Sequence, residues 1–252
     1  MTDPIQQAAE QLSQAQQVTV LTGAGVSKES GVPTFRDALD GLWARYDPQQ
    51  LATVAAFQRD PKLVWDWYAY RRDSVRQAQP NPGHHALAAL ERHFPTLTII
   101  TQNVDDLHER AGSRDVIHLH GNIAQSKCFD DCQGRPTLID LTQLDDTATP
   151  PKCPHCAAFV RPDVVWFGES LPMDALNRAA TLSQQADVML VVGTSGLVTP
   201  AATLPEVARA AGAVIIEVNP DDTPLTHLAQ IKLSGPSGVM LPRLLEALNA
   251  DA

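Results

Sequence analysis

The sequence predicts an α/β fold: a Rossmann-like doubly wound parallel sheet with a second, smaller lobe made of a helical insert and a zinc-binding insert. Three observations predict it. Short runs rich in β-branched residues recur along the chain and are apolar on both faces, as strands covered on both sides of a parallel sheet must be. Amphipathic helical patterns lie between many of these runs. Two stretches, 36–83 and 123–163, break that rhythm.

Five runs read as buried strands: QVTVLTG (17–23), TLTIITQ (96–102), DVIHLHG (115–121), ADVMLVVGTS (186–195) and GAVIIEVNP (212–220). QIKLSG (230–235) is a weaker sixth. HHALAALERHF (84–94) and AATLPEVARAAG (201–212) read as helices, the second ending at a C-cap glycine, and PRLLEALNA closes the chain the same way. Residues 36–83 hold several short helical patterns and no clear strand; 123–163 hold all the cysteines. The Rossmann-like domain is therefore expected from 1–35, 84–122 and 164–252, and the small lobe from the two inserts.

The bulk numbers narrow the function. The 252 residues suffice for one large domain, or one domain and a small insert. A net charge of −10 and a pI of about 5.1 exclude nonspecific binding to nucleic acid or to an anionic membrane, but leave a basic, lysine-bearing protein segment as a partner. The start, MTDPIQQAAEQLSQAQQ, lacks the basic and apolar regions of a signal peptide. No run approaches the roughly 18 apolar residues of a membrane span, so a cytoplasmic location is expected.

The motifs follow the strand ends. The first strand runs into TGAGVSKESGVPTFRD (22–37), where Gly23 and Gly25 would let the backbone approach a pyrophosphate at a helix N-terminus. A tight turn before a helix would also explain them, and the spacing is not G-x-G-x-x-G. Arg36 lies in a loop able to fold over a nucleotide and pair with a phosphate, with Phe35 excluding water. TQNVDDLHERAG (101–112) places Gln102, Asn103 and Asp105 past a strand end, within reach of a sugar or amide; an Asn/Asp-rich helix cap is the plainer alternative. HLHGN (118–122) puts two histidines at alternate positions, same-faced on a strand. They suit two metal ligands, a general base or a structural role. Cys128, Cys132, Cys153 and Cys156 read C-x3-C and C-x2-C with twenty residues between the pairs. Four thiolates fill a tetrahedral zinc shell and leave no open position, so that site is structural.

Together these segments, with RPDVVWFGE (161–169), GTS (193–195) and VNP (218–220), resemble the sirtuins, the Sir2-like NAD-dependent protein-lysine deacylases, in order and over nearly the whole chain. The resemblance implies that Gly23, Ala24, Gly25, Phe35 and Arg36 form the cofactor loop. It places Gln102, Asn103 and Asp105 on the nicotinamide and ribose side, and Gly193, Thr194, Ser195 and Asn219 on the adenosine half. His120 is implied as the catalytic base, with Asn103 beside it, and Val164, Trp166 and Phe167 as the lysine channel. In the implied chemistry the acyl-lysine oxygen attacks C1′ of the nicotinamide ribose. Nicotinamide leaves, and the products are free lysine and O-acyl-ADP-ribose. One structural zinc and a monomeric state are expected, with acyl-lysine protein segments as partners.

Within WDWYAYRRD (65–73), Tyr68 and Arg71 are three apart and share a helix face. This Y-x-x-R resembles the pattern of sirtuins that remove succinyl and malonyl groups, in which the arginine takes the distal carboxylate and the tyrosine adds a hydrogen bond. Tyr70 and Arg72 are expected to point elsewhere. The first cysteine pair departs from the family spacing of two residues, and Ala157 stands where a glycine would ease the knuckle turn. Three other readings use the same motifs: an ADP-ribosyltransferase or NAD hydrolase, a non-catalytic NAD or ADP-ribose module, and a dehydrogenase. The dehydrogenase lacks its glycine spacing and second catalytic domain.

Overall fold

The computed structural model describes residues 3–34, 46–144 and 148–250. Phe35 and Arg36 of the expected cofactor loop lie outside the described residues. The elements, in chain order, are α1 (Pro4–Ser13), β1 (Gln17–Thr22), α2 (Gly25–Lys28), α3 (Pro48–Leu51), α4 (Val54–Arg59), α5 (Pro61–Gln77), α6 (Pro82–Leu90), β2 (Thr96–Thr101), α7 (Leu107–Ala111), β3 (Val116–His118), β4 (Gly121–Cys128), β5 (Val160–Val164), α8 (Met173–Gln185), β6 (Val188–Val192), α9 (Leu204–Ala210), β7 (Val214–Val218), β8 (Ile231–Leu233) and α10 (Ser237–Ala250).

All six expected runs enter one parallel sheet in the order β3-β2-β1-β6-β7-β8. Because successive residues of a strand face opposite sides, β1, β2, β6 and β7 each feed two cores. Val18 and Val20 of β1, Val188, Leu190 and Val192 of β6, and Ile216 and Val218 of β7 join a core whose helical side is α1, α6 and α10. Leu21, Met189, Val191 and Ile215 join the opposite core, under α8 and α9. Strand order reverses between β1 and β6, which creates a crevice beyond their carboxyl ends.

Three expectations change in detail. DVIHLHG is not one strand: β3 stops at His118, and Gly121 opens β4 in a separate antiparallel pair with β5. Gly121 turns the chain at φ +80, and a Cβ there would lie 2.2 Å from the Asp163 carbonyl oxygen. Pro242 lies inside α10 rather than at its start. The short patterns of 36–83 include one 17-residue helix, α5, which buries Val64, Trp67, Tyr68 and Val75. Its N-terminus is capped by Asp60, whose carboxylate accepts from the Leu63 N–H at 3.0 Å.

α5 packs with Phe57 of α4 and Trp166 into a third core, and a small fourth one surrounds Cys128 and Cys153. No described helix is long and apolar enough to cross a membrane.

Candidate active site

The reversal of strand order brings the loops after β1 and β6 together. The Gly25 N–H donates to the Gly193 carbonyl at 2.8 Å, and the Gly23 N–H to that of Val192 at 3.1 Å. A Cβ on Gly25 would stand 2.6 Å from the Gly193 oxygen, and one on Gly23 2.7 Å from Thr194 Cα. Gly193 itself has φ +58. These glycines therefore let two loops touch each other. α2 is a single turn, and the N–H groups of Gly25, Val26 and Ser27 already bond to Gly193, Gly23 and Ala24 carbonyls.

A lateral chain of hydrogen bonds crosses the strand ends. Asn219, after β7, donates to the Thr194 carbonyl at 2.9 Å. Gln102, after β2, donates to Thr194 Oγ1 at 2.8 Å. The Gln102 carbonyl lies 2.8 Å from His120 Nδ1. A carbonyl only accepts, so Nδ1 carries the proton and Nε2 is left as the basic nitrogen. Burial lowers the His120 pKa below the usual imidazole value, against the opposing effect of that carbonyl. The ring is neutral at pH 7 and able to take a proton.

Asn103 is buried, and its side chain donates to Ser27 Oγ at 3.0 Å. Asp105 is also buried. Its carboxylate accepts from the Leu107 N–H at 3.2 Å, yet burial raises its pKa, opposed by Leu107, Ser27 and His118. His118, the other histidine of the motif, faces away from His120's partner. Its Nδ1 lies 3.3 Å from the Asn103 carbonyl and its Nε2 2.6 Å from Glu109. Burial works to lower its pKa, but Glu109, Asn103 and Asp105 together raise it. The two histidines thus grip successive carbonyls of one loop, and among the described residues neither belongs to a cluster of three or more metal-ligating side chains.

A narrow cavity opens beside this loop. Ala24, Gln102, Asn103 and Asp105 wall one side, and Trp67, Tyr70, Arg71, Ser74 and Val75 of α5 the other. Arg71 therefore reaches the cavity, its guanidinium 5.0 Å from the Trp67 ring centroid. Tyr68 does not wall it. Its hydroxyl accepts from Trp166 Nε1 at 2.9 Å in the buried core, and burial pushes its pKa up to about 12, so it stays protonated. Tyr70, expected to point elsewhere, lines the cavity instead. Arg72 turns to β4 and donates to the Ile123 carbonyl at 2.9 Å. Sequence reasoning overlooked Trp67, Ser74 and Val75. Their i, i+3, i+4, i+7 and i+8 spacing with Tyr70 and Arg71 was the available signal.

Val164 and Trp166 are buried, and Phe167 is exposed with its N–H bonded to the Ala52 carbonyl at 2.9 Å. A clamp absent from the sequence reading shapes this segment. Buried Arg161 meets Glu169 through two hydrogen bonds of 2.6 and 2.9 Å and lies 3.2 Å from the Trp166 ring centroid. The Val165 N–H donates to the His120 carbonyl at 2.9 Å, which joins the segment to the base. Ser195 follows Thr194 at the half-buried rim of the crevice.

The sulfurs of Cys128, Cys132, Cys153 and Cys156 lie within 4.8 Å of one another, with Cys128–Cys156 at 3.5 Å and Cys132–Cys153 at 3.8 Å. A tetrahedral Zn–S shell at about 2.3 Å requires S···S separations of about 3.8 Å, so the four thiols fit a zinc ion. Ala157 has φ +62, the left-handed conformation expected to suit glycine, and so has Asp131 in the longer first loop, at φ +47.

The Sir2 family model matches residues 23–200. A protein named NAD-dependent protein deacylase 1, from Pseudomonas aeruginosa, is 51% identical over 239 residues, 94% of this chain and 96% of that protein. The NAD-dependent protein deacylase of Aquifex aeolicus is 51% identical over 231 residues, 92% of this chain and 95% of its own. A crystal structure of a Sir2 homolog–NAD complex superposes with a TM-score of 0.90 at 45% identity, covering 100% of this chain and 95% of that one. A Sir2 structure bound to a myristoylated histone peptide gives 0.78 at 34% identity, covering 99% and 98%.

Proposed function

Since the chain belongs to the Sir2 family, we propose that this site removes acyl groups from protein lysines at the expense of NAD, with succinyl and malonyl groups favoured over acetyl. NAD, when bound, supplies a ribose carbon from which nicotinamide departs and an ADP-ribose that accepts the acyl group. The residues of the chain bind, orient and move protons around that event.

The observation that carries the reading is the tautomer of His120: its Nδ1 proton is engaged by the Gln102 carbonyl, so Nε2 is free to take a proton from a ribose hydroxyl. Asn103, fixed by Ser27, and Asp105, buried beside it, face the nicotinamide end. Gly23, Ala24, Gly25, Gly193, Thr194, Ser195 and Asn219 flank the crevice where the dinucleotide lies across the reversal of strand order. Phe35 and Arg36 complete the cofactor loop in this reading. Val164, Trp166 and Phe167 border the lysine channel.

Arg71 supports the acidic acyl preference because it brings a cation into the cavity on the side facing Asn103. A charge-assisted contact to a distal carboxylate contributes roughly 1.5–3 kcal/mol, which is about ten- to a hundredfold in preference. Tyr68 acts one layer behind, holding Trp166 and packing against the arginine. The cysteines hold a structural zinc in the small lobe, in keeping with a cytoplasmic, thiol-reducing location. The enzyme acts as a monomer on acyl-lysine segments.

The test compares succinyl-lysine and acetyl-lysine versions of one peptide, with and without NAD, by peptide mass and nicotinamide release. NAD-dependent loss of succinyl at the higher catalytic efficiency is expected. Faster loss of acetyl would remove the role given to Arg71. Nicotinamide release without loss of either group would make the protein an NAD hydrolase or ADP-ribosyltransferase. His120→Ala should abolish turnover while the protein stays folded.

A further inference from the structure

Arg110, in the TQNVDDLHERAG stretch, has been given no role so far, yet it ties the helix after the Gln102–Asp105 loop to α5. It lies on α7, the short helix that follows the Gln102–Asp105 loop. Its Nη1 donates to the Val75 carbonyl at 3.2 Å and its Nη2 to the Ala78 carbonyl at 2.5 Å. Both acceptors sit at the C-terminal end of α5, where carbonyls lack helical partners and the helix dipole is negative. Nη1 is also 3.6 Å from Asp106, so the guanidinium is steered from its own helix.

The two halves of α5 are held differently. Buried Val64, Trp67 and Tyr68 fix the first part, whereas Val75 is the buried side chain of the last turns. Ser74 and Val75 wall the cavity in that second part, and Arg71 stands one turn before Val75. We propose that Arg110 is a positioning residue for acyl specificity: by locking the end of α5 to the helix behind the Gln102–Asp105 loop, it holds the Arg71 guanidinium at the angle a distal carboxylate requires. The proposal rests on the deacylase reading. It goes further in assigning the preference to a residue outside the pocket.

The physical reason is the narrow geometry of a guanidinium–carboxylate pair. Two parallel N–H···O bonds need the fork in plane with the carboxylate, and a loosened helix end spoils that alignment before it empties the pocket. An acetyl group has no carboxylate to align, so the same loosening should hardly affect it. The Gln102–Asp105 loop keeps its bonds to Thr194, Ser27 and His120, so NAD binding should not change.

The experiment uses Arg110→Met and Arg110→Lys in the full chain. At saturating NAD, Arg110→Met should raise KM for the succinyl-lysine peptide about tenfold and KM for the acetyl-lysine peptide less than about twofold. KM for NAD should stay at its wild-type value. Arg110→Lys keeps the charge but not the fork, and should recover part of the loss. Amide exchange should quicken at Ala78, whose N–H bonds to the Ser74 carbonyl at 3.1 Å, and remain unchanged in β1 and β6.

A fall in melting temperature with the succinyl-to-acetyl ratio unchanged would mean a merely structural arginine and overturn the proposal. Equal losses on both peptides would overturn it too. If the wild-type protein removes neither group, the deacylase reading falls by itself. The exchange comparison then still decides whether Arg110 holds α5, and unchanged exchange overturns that.

Discussion

The crevice between β1 and β6 and the cysteine-bearing hairpin of the small lobe solve opposite problems. At the crevice, backbone meets backbone: Gly25 and Gly193 leave no room for a Cβ on either side. In the hairpin, Asp131 and Ala157 hold left-handed backbone without being glycine. The sheet has two large cores beneath it and needs only close approach at its ends. The hairpin has only a small core around Cys128 and Cys153, and it gathers four thiols in the arrangement a cross-linking zinc ion requires. Where packing holds the chain, backbone geometry must be relaxed; where cross-links hold it, strain is tolerated.

The largest effect that can break this contrast is loss of the metal. Strong chelation should melt the cysteine-bearing insert while the sheet persists, giving a second, lower unfolding transition and fast amide exchange confined to 123–163. One transition at the original temperature would show that the cysteines carry no structural zinc. Next comes Gly25→Ala. Its Cβ would force the Gly193 loop to move, at a cost of about 1–3 kcal/mol by overpacking, with NAD affinity falling alongside the melting temperature. A variant with unchanged NAD affinity would mean that the glycines do not shape a dinucleotide site.

Ala157→Gly acts in the other direction. Removing a Cβ from left-handed backbone should stabilise the hairpin by about 0.5–1 kcal/mol, after the entropy glycine adds to the unfolded chain. The smallest effect concerns His118. Its pKa is raised in the folded protein, so its contribution is fully present below the ordinary imidazole value and is lost as pH rises through the raised one. The half-exposed Glu109 partner keeps that contribution under about 1 kcal/mol. His118→Asn should therefore lower the melting temperature most near about pH 6 and least near about pH 9. A pH-independent difference would mean the ring is held by packing alone.

Much of this was legible in the sequence because it depends on local pattern. Strands buried on both faces announce themselves, as Val188 to Val192 do, and cysteine spacing identifies its own cluster. What was not legible depends on where the chain goes next. Nothing local says that the strand of HLHG ends at His118, since the chain turns there to let Gly121 pair with Val164, far along the sequence. Spacing put Tyr68 and Arg71 on one face of α5, but not which of them faces the cavity. Trp166, distant in sequence, draws the Tyr68 hydroxyl into the core and leaves Tyr70 at the wall. The Arg161–Glu169 clamp was hidden for the same reason: two charges eight apart mean nothing until a ring lies under one of them.

The pairing of Gly121 with Val164 has a consequence beyond turning the chain. The polypeptide leaves for the cysteine hairpin and returns from it at adjacent points of one ladder. The whole excursion is therefore a closed side-branch, and its length imposes little on the rest, because closing a longer loop costs only slowly growing entropy. Such a segment can be lengthened, trimmed or exchanged for a relative's as a cassette without shifting the register of the six-stranded sheet. The tolerated spacing of the first cysteine pair is one instance of that freedom.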